Sequence, residues 1–228
     1  MPGFVEYSKS AARQYVKEWL EMFARDCNHP SVVTWVLFEN GFGINGPQCD
    51  GRPMLSVRDS VEVQEFVRET VGMVRAVDPH RLVIDNSGCL HLDTDIVDIH
   101  ESASPPTELA KRIRTHWLGK RDNWIEGREL MVAGTEYSGQ PIVLSDYGGL
   151  VFNETGNSNK EPCDTDTLLA TYETFVKTIA KFRNICGRCY RQLTDVCSDM
   201  TGLATADRQS KVDCELLYQI NRKYPKSK

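Results

Sequence analysis

The chain has 228 residues, 40% hydrophobic and 26% charged, with a net charge of -5. Such a composition belongs to a globular chain long enough to bury a core. The acidic balance and the lack of a Lys/Arg-rich run exclude nucleic acid as the main partner. Every apolar run falls short of the roughly 20 residues that a membrane span needs. In chain order, the N-terminal "MPGFVEYSKS" lacks the basic start and apolar stretch of a signal peptide. The chain is therefore expected to be cytoplasmic, or a piece of a larger precursor.

Residues 8 to 26 predict a helix, with Tyr15, Trp19, Leu20 and Phe23 on its inward face. Pro30 stops it. Val32 to Phe38 is a continuous β-branched and aromatic run, which predicts a buried strand. It ends on Glu39-Asn40 and a glycine-rich turn. Residues 41 to 56 carry turn chemistry. Residues 58 to 77 are helical, with Val63, Phe66, Val67, Thr70, Val71 and Val74 inward. "RLVIDN" and "DIVDIH" are short strands ending in polar residues. Pro106 to Trp117 is a helix, "PIVLSDYGG" a fourth strand, and Thr165 to Phe182 a helix. "CGRCYRQL" is a fifth strand, and Val212 to Ile220 a closing helix.

This β/α alternation with short buried strands calls for a parallel sheet covered by helices, in one domain over residues 1–228. Polar residues collect at the ends of the strands: Glu39-Asn40, Asp85-Asn86, His100-Glu101 and Asp146. In such folds ligands bind at that edge. The eight cysteines are spread along the chain and are read as reduced and structural. "CGRC", Cys186 to Cys189, has no second C-x-x-C and no spaced His pair, so a redox or metal role is set aside. "NET", residues 153 to 155, is a glycosylation sequon expected to go unused.

Several segments resemble glycoside hydrolase family two, the β-galactosidase and β-glucuronidase group. "EWLEMFARDCNHPSVVTWVLFENGFG" is similar to the segment leading into the family's fourth barrel strand. "VDPHRLVIDNSGCLHLDTDIVDIHES" is similar to its Asp-Pro-x-Arg, Asp-Asn-x-Gly and Asp-Ile-His segments. "QPIVLSDYGGL" and "GRCYRQLTDVCSDMTGLATADRQSKVD" resemble its seventh and eighth strands. The resemblance implies an α/β chain forming part of a TIM (β/α)8 barrel, about strands four to eight. The first strands and the family's N-terminal β-sandwich domains are not seen. Five strands cannot close an eight-stranded barrel, so self-association, or a partner completing the barrel, is expected.

The resemblance further implies a retaining β-glycosidase acting on carbohydrate, with no cofactor and no metal. Such enzymes place two carboxyl groups about 5 to 5.5 Å apart, one a nucleophile and one an acid/base. The family order at the fourth strand is Asn then Glu. Here it is Glu39 then Asn40, so in family register Asn40 falls on the acid/base position and Glu39 on that of a sugar-binding Asn; a one-residue slip or local bulge would instead bring Glu39 onto the catalytic acid/base site. The nucleophile position holds Asp146 instead of Glu. His100, Asn86, Tyr147 and Tyr190 fall on substrate-binding positions. For His100 the competing reading is a structural histidine. His29 is read as structural, at the entry to the strand. An amide cannot deliver a proton, and the shorter Asp146 withdraws its carboxylate by about 1.5 Å, one C–C bond. Weak or lost hydrolysis is expected. The competing reading is an inactive homologue or fragment that at most binds carbohydrate.

Overall fold

The computed structural model describes residues 7–39, 60–101, 105–114, 124–125, 128–149, 164–197 and 199–224. The helices are α1 (Lys9–Asp26), α2 (Val61–Val77), α3 (Pro106–Arg112), α4 (Thr165–Ala180) and α5 (Cys214–Lys223). The strands are β1 (Thr34–Glu39), β2 (Leu82–Ser87), β3 (Val97–Glu101), β4 (Trp124–Ile125), β5 (Arg128–Glu129), β6 (Ile142–Gly148) and β7 (Ile185–Arg191). All five expected strands form, and β4–β5 adds a short antiparallel pair.

The helix starts are set by side-chain caps that periodicity alone does not mark. Ser8 accepts from the Ala11 amide, Ser60 from Val63, and Asp164 from Thr167. The Ser60 cap explains why α2 begins at Val61 and not at residue 58. Asp213 likewise caps α5, which runs to Lys223. α3 ends at Arg112, and the expected continuation over residues 115–117 lies outside the described residues.

The chain divides into two compact units, residues 1–99 with 123–141, and residues 100–122 with 142–228. In the first unit β1 and β2 pair in parallel, Thr34 beside Leu82 and Glu39 beside Ser87. α1 and α2 cover them. Trp19 is fully buried, stacked on Phe23 and edge-on to Trp35. Phe38 stacks on Tyr15, whose hydroxyl donates to the Leu37 carbonyl. All six residues expected inward on α2 are buried. On α1 the expectation fails at Leu20, which is 38% exposed. At about 100° per residue, the fifth position after Tyr15 falls off its face.

The turn "VDPHR" between α2 and β2 is a staple. Arg81 donates to the carbonyls of Val32, Cys27 and His29 and to Asp78. Asp78 also accepts from the Trp35 indole at 2.9 Å. The entry to β1 is thus fixed through the His29 backbone, while the His29 ring is exposed. Hydrogen bonds from Trp35 first, and from Arg81, pull the Asp78 carboxyl down to about 2.

In the second unit β6 and β7 pair in parallel, Tyr147 beside Tyr190 and Gly148 beside Arg191. α4 buries Leu168, Tyr172, Phe175, Val176 and Ile179. Gly148 has φ of 99°, and a Cβ there would lie 2.2 Å from the Tyr190 ring. Both facts require glycine at this strand end. α5 has no buried residue; its Asn221 bonds the Tyr172 hydroxyl.

Candidate active site

The acidic strand ends of the two units are built differently. In the first unit Glu39 is exposed at the tip of β1, in register with Ser87. Asn40 lies outside the described residues. Asp85, at the end of β2, is fully buried. Its carboxylate bonds His91 Nδ1 at 2.8 Å and accepts the backbone amides of Asn86, Leu92 and Asp93. The other ring nitrogen of His91 lies 2.8 Å from the Asp98 carbonyl. Burial disfavours both charged forms, but the pair outweighs it: Asp85 is lowered and His91 raised.

Asn86 is fully buried, and its side-chain amide donates to the Cys89 carbonyl. The loop after β2 is thereby tied to itself. Arg75 of α2 grips its far end, bonding Asp93 at 2.9 Å and Asp95 at 2.8 Å. Ser87 donates to Asp98 at 2.5 Å.

In the second unit Asp146 lies near the end of β6, 7% exposed. Oδ2 accepts from Arg191 Nη1 at 3.2 Å. Among the described residues Oδ1 is buried with no hydrogen-bond partner. The Arg191 side chain is 52% exposed and also reaches Asp199, at 3.6 Å. Tyr147 is buried edge-on to Tyr190, with its ring 5.6 Å from Phe175 of α4. Burial first, and the neighbouring Tyr172, push its phenol up. Tyr190 is half-buried and also meets Tyr172 edge-on. His100 is half-buried; Glu101 beside it is fully buried on Arg112 at 2.7 Å.

The structure thus brings Asp146, Tyr147 and Tyr190 together on one strand pair, and Glu39 beside the Asn86–Ser87 strand end. Sequence reasoning missed His91 and Arg191. His91 sits between Leu90 and Leu92 in a loop and carries no motif. Arg191 was within reach, since aligning "LSDYGG" with "RCYRQ" as parallel neighbours sets a cation beside the acidic tip. Cys186 and Cys189 stand three apart on β7, so their side chains leave opposite faces of the strand. No group of three or more His, Cys, Asp or Glu suited to a metal occurs among the described residues.

Parallel strand pairs covered by helices, with polar side chains gathered at the strand ends, define an α/β chain of the β/α-barrel type. The profile described as glycosyl hydrolases family 2, TIM barrel domain, matches residues 6–223, and the chain belongs to that family. Solved structures share the fold. A β-glucuronidase from an uncultured Clostridium superposes with a TM-score of 0.64 at 15% identity, covering 96% of this chain and 37% of that one. For Bifidobacterium dentium β-glucuronidase, complexed with coumarin-3-O-glucuronide, the values are 0.66, 17%, 98% and 36%. For an Eisenbergiella tayi β-galacturonidase bound to galacturonate they are 0.65, 14%, 96% and 38%. The chain therefore spans little more than a third of these relatives. Comparison with curated proteins finds no match. No helix among the described residues is long and apolar enough to cross a membrane.

Proposed function

We propose that the chain carries the nucleophile side of a retaining β-glycosidase site, impaired at both catalytic positions. The observation that carries this reading is the place of Asp146, near the C-terminal end of β6 on the position that the resemblance gives to the nucleophile. One oxygen is oriented by Arg191 and the other accepts no hydrogen bond among the described residues. Among those residues Asp98 and Asp195 each hold a like buried, unpartnered oxygen, so it is the strand-end position, and not the free oxygen, that singles out Asp146. Asp146 keeps the ionisable group with a shorter reach, a displacement that costs on the order of 100-fold. Asn40 on the acid/base position forfeits proton delivery, typically worth about 100- to 10,000-fold. Hydrolysis of unactivated β-glycosides is therefore weak or lost. His100, Asn86, Tyr147 and Tyr190 fall on substrate-binding positions of the family. Self-association, or a partner, completes the barrel. The relatives' names make β-uronides the first substrates to try.

Exchange of Glu39-Asn40 for Asn-Glu restores the acid/base, and Asp146→Glu restores the reach. The two repairs are expected to be far from additive, because both groups act on one bond. The assay is release of an aryl leaving group, with the anomeric configuration of the product determined, in a chain whose barrel is completed. Retained configuration in the double repair supports the reading. Turnover of natural disaccharides by the unrepaired chain at about 1 to 1,000 per second overturns it, and makes Glu39 the acid.

A second reading is carbohydrate binding without hydrolysis. The guanidinium on Oδ2 favours it, since that pairing holds Asp146 in place whether or not the bond is cleaved. Calorimetric titration with a uronic acid separates the two: binding with no hydrolysis even after both repairs selects the second.

A further inference from the structure

A groove of about 540 Å³ runs between the first turns of α1 and α2 in the first unit. Its floor is apolar, with Ala12, Val16, Phe66 and Met73. Its α1 wall carries Lys9 and Arg13, and its α2 wall carries Glu62, Glu65 and Glu69. All five charged residues are exposed. Among the described residues no ion pair joins one wall to the other. The helix dipole accounts for Glu62, in the first turn of α2, but not for the cation Lys9 in the first turn of α1, where positive charge is disfavoured. Within the groove these cations lack an anion set directly against them.

We propose that this groove docks a second copy of the same chain across a two-fold axis. Charge complementarity selects this occupant. α1 leads into β1, and α2 connects β1 to its parallel neighbour β2. Both helices therefore run against the strands and in the same sense, with their first turns side by side. A two-fold axis lying along the groove preserves that sense and exchanges the walls. It sets Lys9 and Arg13 of one copy over Glu62, Glu65 and Glu69 of the other, and the same contact recurs on the other side. The apolar floors of the two grooves meet between these charged rims. That is the anatomy of a specific interface: an apolar centre within a polar rim.

Sedimentation equilibrium of the 228-residue chain provides the test, with the variants Arg13→Glu and Glu65→Arg. Both positions are exposed, so far-UV spectra are expected to stay unchanged. Each variant alone presents like charges across the axis, and its self-association is expected to weaken by at least about tenfold. Mixed one to one, the two variants again set opposite charges against each other at both contacts between positions 13 and 65. A carboxylate meets a guanidinium on one side of the axis, and a guanidinium meets a carboxylate on the other. The mixture is expected to recover the dimer. Raising salt weakens the wild-type dimer and the mixed dimer alike. A chain that stays monomeric at all concentrations overturns the proposal. So does association that ignores both charge reversals, which assigns it to exposed strand edges, and so does a mixture that fails to recover the dimer.

Discussion

The acidic end of β2 is closed on itself, whereas the acidic end of β6 is held from one side only. Asp146 has one oxygen on a half-exposed arginine and one without a partner among the described residues. Asp85 is fully buried, and its carboxylate is shared among a buried histidine and three backbone amides. A carboxylate so fully used has nothing left for a substrate. The two acids differ in how many of their lone pairs are satisfied, and the residue type at a strand end does not reveal it.

Two substitutions break this contrast most sharply. His91→Leu leaves Asp85 buried without its counter-charge and is expected to cost about 3 to 5 kcal/mol. Arg191→Leu removes an arginine that is half in solvent but leaves the buried Asp146 without that hydrogen bond, and is expected to cost less, about 1 to 3 kcal/mol. Urea denaturation midpoints measure both. Equal losses would mean that the two strand ends are alike.

A backbone test comes next. Gly148→Ala forces a side chain onto a positive φ against the Tyr190 ring, with an expected loss of about 1 to 3 kcal/mol. A thermal unfolding transition unchanged from wild type would show that the β6 strand end is not held this tightly.

The Asp78 staple sharpens the account of the first unit through pH. Its folded value lies near 2, below the ordinary 3.8. A depressed carboxyl stabilises the fold above its unfolded value, and that contribution is lost as pH falls through the folded one. Stability is expected to decline from about pH 4 to pH 2, and Asp78→Asn is expected to remove that part of the decline. Parallel denaturation curves for the two proteins across this range make the measurement.

The smallest effect is a gain. Gly72 is exposed in α2 with open space around its missing Cβ. Gly72→Ala is expected to stabilise by about 0.5 to 1 kcal/mol, seen as a higher melting temperature.

The elements were legible because their physics is local. Six apolar-facing residues at helical spacing marked the buried side of α2, and unbroken β-branched runs marked the strands. Leu20 shows the limit: hydrophobicity suggested an inward residue where the helical angle sends it outward. The site was legible only as residue types. Asp85, Asn86 and Asp146 are all polar strand ends in sequence. The difference between the two acids depends on His91 and Arg191, which reach them from six and 45 residues away. Pairing over such separations leaves no periodic trace.

The most direct test of the Asp146 assignment is covalent trapping. An aryl 2-deoxy-2-fluoro-β-glycoside with a good leaving group needs little acid help, so the proposed loss of the acid/base at Asn40 would not prevent attack. The full chain is incubated with it, and the adduct is located by intact mass and peptide mapping. The account predicts a slow, stoichiometric adduct on Asp146 that vanishes in Asp146→Asn. An adduct on Glu39, or no adduct while the chain still binds the sugar, would contradict it.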